Sequence, residues 1–270
     1  MNELRTGAGL AMVTLAFSSV ALSAQEPTPL SYHQRTVGQM TVAAPTGPVE
    51  LGNEFDARLS FVEMGPDSIH AWFDDLEVVA IDPAGESRPD TDPVLGELFV
   101  LRVGERGALE TLSSPEAPED VGAITDLRAQ FFDFLPTIPE GGYRVGATWA
   151  DTLMAPPNME PDTESEMTKV VTSQVVSDSV ADGVAVWVIH GEAMTEWRID
   201  APFPDQPTIR VVTTMSGVET SVALVARDDG RLVSRDRVAD IEGQMEYVGA
   251  PQPLVMAIAR RNESEVRLIR

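Results

Sequence analysis

Val218-Glu219-Thr220-Ser221-Val222-Ala223-Leu224-Val225-Ala226, followed by Arg227-Asp228-Asp229-Gly230, is the stretch on which the fold reading turns. Val218, Thr220, Val222, Leu224 and Ala226 fall on one face. Glu219, Ser221 and Arg227 fall on the other, the separation a half-buried antiparallel strand requires, with its apolar set inward. Asp228-Asp229-Gly230 then reads as a hairpin turn, because glycine tolerates the positive φ that such turns demand, and the chain leaves as Arg231-Leu232-Val233-Ser234. Thr168 to Val176, Val184 to Ile189 and Ile209 to Met215 carry the same β-branched composition, and Asp182-Gly183 marks a second turn. In the first half the strand candidates are Tyr32–Val42, Phe55–Met64, Ile69–Ile81 and Leu98–Leu112. The expected fold is therefore mainly β, a curved antiparallel sheet or half-barrel. Setting Gly107 against Gly230 aligns Leu101 with Leu224, Val103 with Ala226 and Leu109 with Leu232. Two similar halves are one reading of that alignment, and the ordinary likeness of any two hairpins is the other.

Between the halves the sequence predicts one helix, over about residues 118–135. Pro115-Glu116-Ala117-Pro118-Glu119-Asp120 places proline and acid where free N–H groups and the helix dipole favour them. Val121, Ile124, Leu127, Arg128, Phe131 and Leu135 follow at helical spacing, and Pro136 stops the pattern. The apolar side of that helix needs a partner, which a curved sheet supplies. Asp82–Pro93 and Met154–Glu166 are rich in proline and acid, but strand-like sequence resumes after each. The expected organisation is a single domain over 25–270, with a two-lobed division near residue 140 as the alternative.

Residues 1–24 combine Arg5, the apolar run Ala8–Phe17 and a boundary of small residues, the parts of a cleaved secretory signal. Cleavage is expected after Ser23 or Ala24. The segment is short for a bilayer span, and Ser18 and Ser19 interrupt it. A periplasmic or secreted location follows, with no transmembrane helix after cleavage. Of the 270 residues 43 are Asp or Glu against 19 Lys or Arg, a net charge of -24, which repels phosphate backbones and argues against nucleic acid as a partner. There is no cysteine, which excludes disulfides, thiolate metal sites and a lipidated N-terminal Cys. Lys169 is the single lysine.

Chemistry-bearing motifs are sparse. His33, His70 and His190 are the three histidines, each in a strand-like run and none with a second His at ligand spacing. No nucleophile elbow or zincin motif occurs. Asn158–Glu166 offers oxygens suited to Ca²⁺, but lacks the spacing and central glycine of an EF-hand and reads as a solvated acidic loop. Arg227, Arg231, Arg235 and Arg237 gather around the Asp228-Asp229-Gly230 turn and offer a place for an anionic group, but they are interleaved with Asp228, Asp229, Asp236 and Asp240, and cross-strand ion pairing is the simpler reading. No catalytic, metal or cofactor residue is assigned. Apolar binding is the remaining positive expectation. Val184–Ile189 has no polar face and should be covered on both sides. Trp72, Trp149 and Trp187, with Phe131 and Leu135, are the candidate lining of an apolar pocket, against the preferred reading of a filled core; Trp197 completes the tryptophans.

Phe131-Phe132-Asp133-Phe134-Leu135-Pro136-Thr137-Ile138-Pro139-Glu140-Gly141-Gly142-Tyr143-Arg144-Val145-Gly146-Ala147-Thr148-Trp149 is the most distinctive segment. It resembles the central part of a group of exported bacterial β-rich proteins of unknown function, many of them lipoproteins. The resemblance implies a curved antiparallel sheet with a helix against it, distantly similar to the half-barrels of periplasmic lipoprotein carriers. It carries over no catalytic residue, and this chain lacks the lipidated Cys of many members. The functional expectation is an exported, non-enzymatic envelope protein holding an apolar or lipid-like molecule or an envelope partner protein. A secreted hydrolase with a spatially assembled acid/base site is the alternative. An outer-membrane barrel is disfavoured, since aromatics are 6% and the chain ends in Arg267-Leu268-Ile269-Arg270.

Overall fold

A computed structural model describes residues 28–65, 67–155, 162–203, 206–252 and 254–269. The signal segment and residues 158–161 of the acidic loop lie outside the described residues. The strands are β1 (Leu30–Ala44), β2 (Gly47–Gly65), β3 (Ser68–Asp82), β4 (Gly85–Ser87), β5 (Phe99–Val103), β6 (Leu109–Ser113), β7 (Thr148–Met154), β8 (Glu164–Ala181), β9 (Val184–Phe203), β10 (Gln206–Ala226), β11 (Leu232–Val248) and β12 (Leu254–Ile269). They form one antiparallel sheet in the order β6-β5-β3-β2-β1-β12-β11-β10-β9-β8-β7, with β4 beside β3. Two meanders thus meet where β1 pairs with β12, from Ser31 opposite Ile269 to Val42 opposite Ile258. The Asp182-Gly183 turn between β8 and β9 forms as expected, with φ of 48° and 81°, and Gly230 closes the β10–β11 hairpin at φ 74°.

β6 and β7 are the two edges and do not pair, so the sheet is not a closed barrel. It nevertheless rolls up, because one core gathers Phe99 and Leu101 of β5, near one edge, with Trp149 of β7 at the other. The seam between the edges is bridged by side chains. Arg106, in the β5–β6 turn, places Nη1 2.6 Å from Asp151 Oδ1 of β7 and donates from Nε to the Ile138 carbonyl at 2.8 Å. The Ile138 N–H donates back to the Arg106 carbonyl at 2.7 Å. Strands this long cannot stay flat. The 21 residues of β10 span about 70 Å, and they approach β11 closely at two glycines. A Cβ added at Gly217 would lie 2.2 Å from the Asp240 carbonyl, and one at Gly243 2.0 Å from that of Thr214. Only glycine lets the two backbones approach so closely.

The alternation of β10 is observed, but its phase is the reverse of the sequence expectation. Val218 is 57% and Val222 39% exposed, whereas Ala223 and Val225 are buried and Glu219 turns inward with them. The end of the strand sets this phase. Ala223 and Val225 join Val175, Ile189, Leu232 and Val266 in the main core, and a strand's period of two then carries Ser221 and Glu219 to the same face. The interleaved arginines sort by the same rule. Arg235 and Arg237 point inward, while Asp236 and Asp240 pair outside with Arg267 and Arg261 at 2.7 and 2.9 Å. The expected cross-strand pairing therefore does not describe Arg235 and Arg237. Val184–Ile189 is covered on both sides, Ile189 by the main core and Val186 by a small cluster with Ala226 and Val233.

The helix expected over 118–135 does not form. One α-turn, Glu119–Gly122, and one 3₁₀ turn, Arg128–Gln130, stand in an otherwise irregular segment. Local hydrogen bonds outcompete the helix. The Asp126 carboxylate accepts from the Arg128 N–H at 2.9 Å and from its guanidinium Nη2 at 2.7 Å. Asp133 adopts φ 52°, a conformation a helix interior does not admit. The apolar residues are buried all the same, each aimed separately into the mouth of the rolled sheet. Phe131 packs on Phe99, Phe61 and Phe73 with ring centroids 4.9, 5.9 and 6.0 Å away, and Phe134 on Phe61 and Tyr32 at 5.0 and 5.4 Å. The segment acts as a plug. Beyond it, towards the far end of the strands, a second cluster of Val42, Met215, Ala239, Ile241, Met256 and Ile258 lines the concave face.

Candidate functional site

Where the plug meets the concave face, a polar cluster is buried. Asp133 is held there by the tight turn that follows Phe131. Arg235 grips its carboxylate bidentately, Nη1 to Oδ1 at 3.1 Å and Nη2 to Oδ2 at 3.2 Å. Lys169 of β8 donates to Asp133 Oδ2 at 2.6 Å and to Glu219 Oε1 of β10 at 2.7 Å. Arg237 of β11 donates to the Asp133 carbonyl at 3.3 Å and to Ser264 Oγ at 3.4 Å. Burial works against the Asp133 carboxylate, but the charges of Arg235, Lys169 and Arg237 together outweigh it and hold its pKa at about 2. The guanidinium of Arg237 is lowered from its ordinary value by burial and by the neighbouring Arg235.

Sheet register builds the floor beside this cluster. One row across the concave face runs Met40, Arg260, Ile241, Gly217, Thr195 and Lys169, each opposite the next on adjacent strands. Gly217 presents no side chain in the middle of the row. The space above the floor is a cavity of about 230 Å³. Lys169, Arg237, Arg260, Glu219 and Asp133 line it, interleaved with Met167, Trp197, Ala239 and Ile241. Arg260 donates from Nε to Asn262 Oδ1 at 3.0 Å and has no carboxylate partner among the described residues. Burial lowers its guanidinium from the ordinary value. In a chain of net charge -24, four cations, Lys169 and Arg235 buried and Arg237 and Arg260 half-buried, here face two carboxylates, Asp133 and Glu219.

None of the five residues expected to line an apolar pocket borders the concave cavity. Phe131 and Trp149 are in the filled core, Trp149 donating from Nε1 to Thr137 Oγ1 at 3.0 Å. Trp187 packs against that core with the Arg227 guanidinium 4.4 Å over its ring. Trp72 donates to Asp74 Oδ1 at 2.9 Å in an exposed contact. Leu135 borders two cavities, a 370 Å³ cleft at the seam and a 360 Å³ pocket beside Tyr32 and Phe61. Among the tryptophans it is Trp197 that lines the concave cavity. His33 pairs with Asp56 at 2.9 Å on the half-exposed convex side, and His190 is exposed. Among the described residues no group of three acids or histidines is placed to hold a metal, and no helix is long and apolar enough to cross a membrane. Asp133, Glu219 and Arg260 carry no signal as site residues in the sequence, where Arg237 reads as a cross-strand ion-pair partner. The one available signal is that the only lysine sits in a strand-like run.

No protein-family model and no curated protein matches the chain. Among solved structures, Neisserial surface protein A is similar over 88% of this chain and 97% of its own, with 8% identity and a TM-score of 0.24. A loop-deletion form of OmpT, an outer membrane protein of Vibrio cholerae, covers 91% of this chain and all of its own, again at 8% identity and a TM-score of 0.24. A DUF1329 family protein from Desulfovibrio piger covers 90% of this chain and 86% of its own at 8% identity, with a TM-score of 0.14. At these TM-scores no common fold is established.

Proposed function

We propose that the protein is an exported component of the bacterial cell envelope that binds a lipid-like molecule in its concave face and has no catalytic role. The observation that carries the reading is the concave cavity, whose lining combines the charged Lys169, Arg237 and Arg260 with the apolar Met167, Trp197 and Ile241. A lining of both kinds suits an amphiphile, whose polar and apolar ends need different surroundings. The apolar lining continues into Met215, Met256 and Ile258. Methionine side chains adapt to flexible partners because they are unbranched and polarisable. Export rests on the N-terminal pattern of Arg5, Ala8–Phe17 and the small residues up to Ala24. The resemblance of Phe131–Trp149 to exported bacterial β-rich proteins supports export in the same way. The mature chain is then one domain from about residue 25, its two meanders sharing a single sheet.

Native mass spectrometry of the full chain, recovered from the envelope of its own host, tests this directly. The expected result is a processed chain carrying added mass that organic extraction removes. A ligand-free chain in every preparation, still with its leader and in the cytosolic fraction, would overturn the proposal.

A further inference from the structure

Resting on that reading, we infer that the bound molecule carries an oxyanion head group, a carboxylate or phosphate, held by Arg260 and Arg237. The other two cations are already engaged. Both carboxylates of the cluster lie within 2.7 Å of Lys169 Nζ, and the Arg235 fork is spent on Asp133. Arg237 is only partly engaged, with its nearest carboxylate oxygen 3.9 Å away and its hydrogen bonds made to a carbonyl and a hydroxyl. Among the described residues Arg260, which lines the cavity, has one protein acceptor, through Nε, and none at its two terminal nitrogens. A half-buried guanidinium with open donors is matched well by an anion, whose charge strengthens the hydrogen bonds it accepts. Planar donor forks fit carboxylate and phosphate in particular. A buried orphan lines the same cavity. Gln34 Oε1 is buried with no hydrogen-bond donor, a group that a bound hydroxyl or a water satisfies. The head group would thus sit between β11, β12 and the plug, with its tail running past Ile241 and Trp197 towards Met215 and Met256.

Octanoate, octanol and inorganic phosphate, titrated by calorimetry into the wild-type protein and the Arg260→Gln variant, test the inference. Octanol serves in the variant as its own control for an intact fold. The expected result is octanoate binding about tenfold or more tighter than octanol to the wild type, from charged hydrogen bonds. That preference should vanish in the variant with octanol binding unchanged. Equal wild-type affinities for octanoate and octanol would overturn the anionic head group and leave the amphiphile reading standing. Binding of phosphate that depends on Arg260, with neither chain compound bound, would support the anion site and overturn the amphiphile reading. Binding of none of the three would overturn both.

Discussion

Replacing Asp133 by asparagine is expected to destabilise the fold by about 3–5 kcal/mol, the usual consequence of stripping one partner from a buried ionic cluster. The substitution keeps the shape of the side chain, and asparagine tolerates the φ of 52° found at this position, so the loss reports charge rather than strain. Lys169, Arg235 and Arg237 would keep their burial and lose the carboxylate they share. Urea titration measures the effect as a shift in midpoint at unchanged slope. The same group sets an acid limit. Its folded pKa of about 2 lies below the ordinary 3.8, so its contribution is fully present above about pH 4 and is lost as the pH falls towards 2. The variant should not show that part of the acid transition. A midpoint within experimental error of wild type would mean that Asp133 is not the centre of the cluster.

Phe131→Ala is expected to cost a similar amount, about 3–5 kcal/mol, for a different reason. The ring is fully buried and packs against Phe61, Phe73 and Phe99 of three separate strands. Its removal leaves a cavity that three rigid neighbours cannot close, in a segment with little secondary structure of its own to compensate. Phe132→Ala, at the half-buried neighbour that borders the concave cavity, should cost less than half as much. Urea midpoints of the two variants compared side by side measure the difference. Equal losses would mean that the plug is held by its backbone rather than by the aromatic cluster.

Strand positions and turns were legible because they depend on neighbouring residues alone. Asp182-Gly183 and Gly230 take positive φ whatever surrounds them. Two features were not legible, for reasons that lie beyond local sequence. The phase of β10 is fixed by Ala223 and Val225 at one end, and nothing in Val218–Leu224 itself says which face the sheet will close upon. The spacing of Val121, Leu127 and Phe131 identified residues that are buried, but burial came through an irregular plug because Asp126 and Asp133 divert the backbone. The candidate site was beyond reach for a related reason. Its charged members are brought together from contacts 36, 50 and 102 residues apart in the chain, and each alone looks like an ordinary surface charge. Lys169 gave a hint by its rarity, but no partner for it could be named before the sheet register was known.

The central claim is that this sheet closes with the Glu219 and Lys169 face inside. Because the chain has no cysteine, single-cysteine variants read the two faces without background. Maleimide labelling of Val218→Cys and Ala223→Cys, which lie on opposite faces of β10, is the most direct measurement. Val218→Cys should react in the native protein as fast as in urea, and Ala223→Cys only after unfolding, as exposures of 57% and 2% require. A protected Val218→Cys together with a freely reactive Ala223→Cys would turn the sheet inside out and contradict the account.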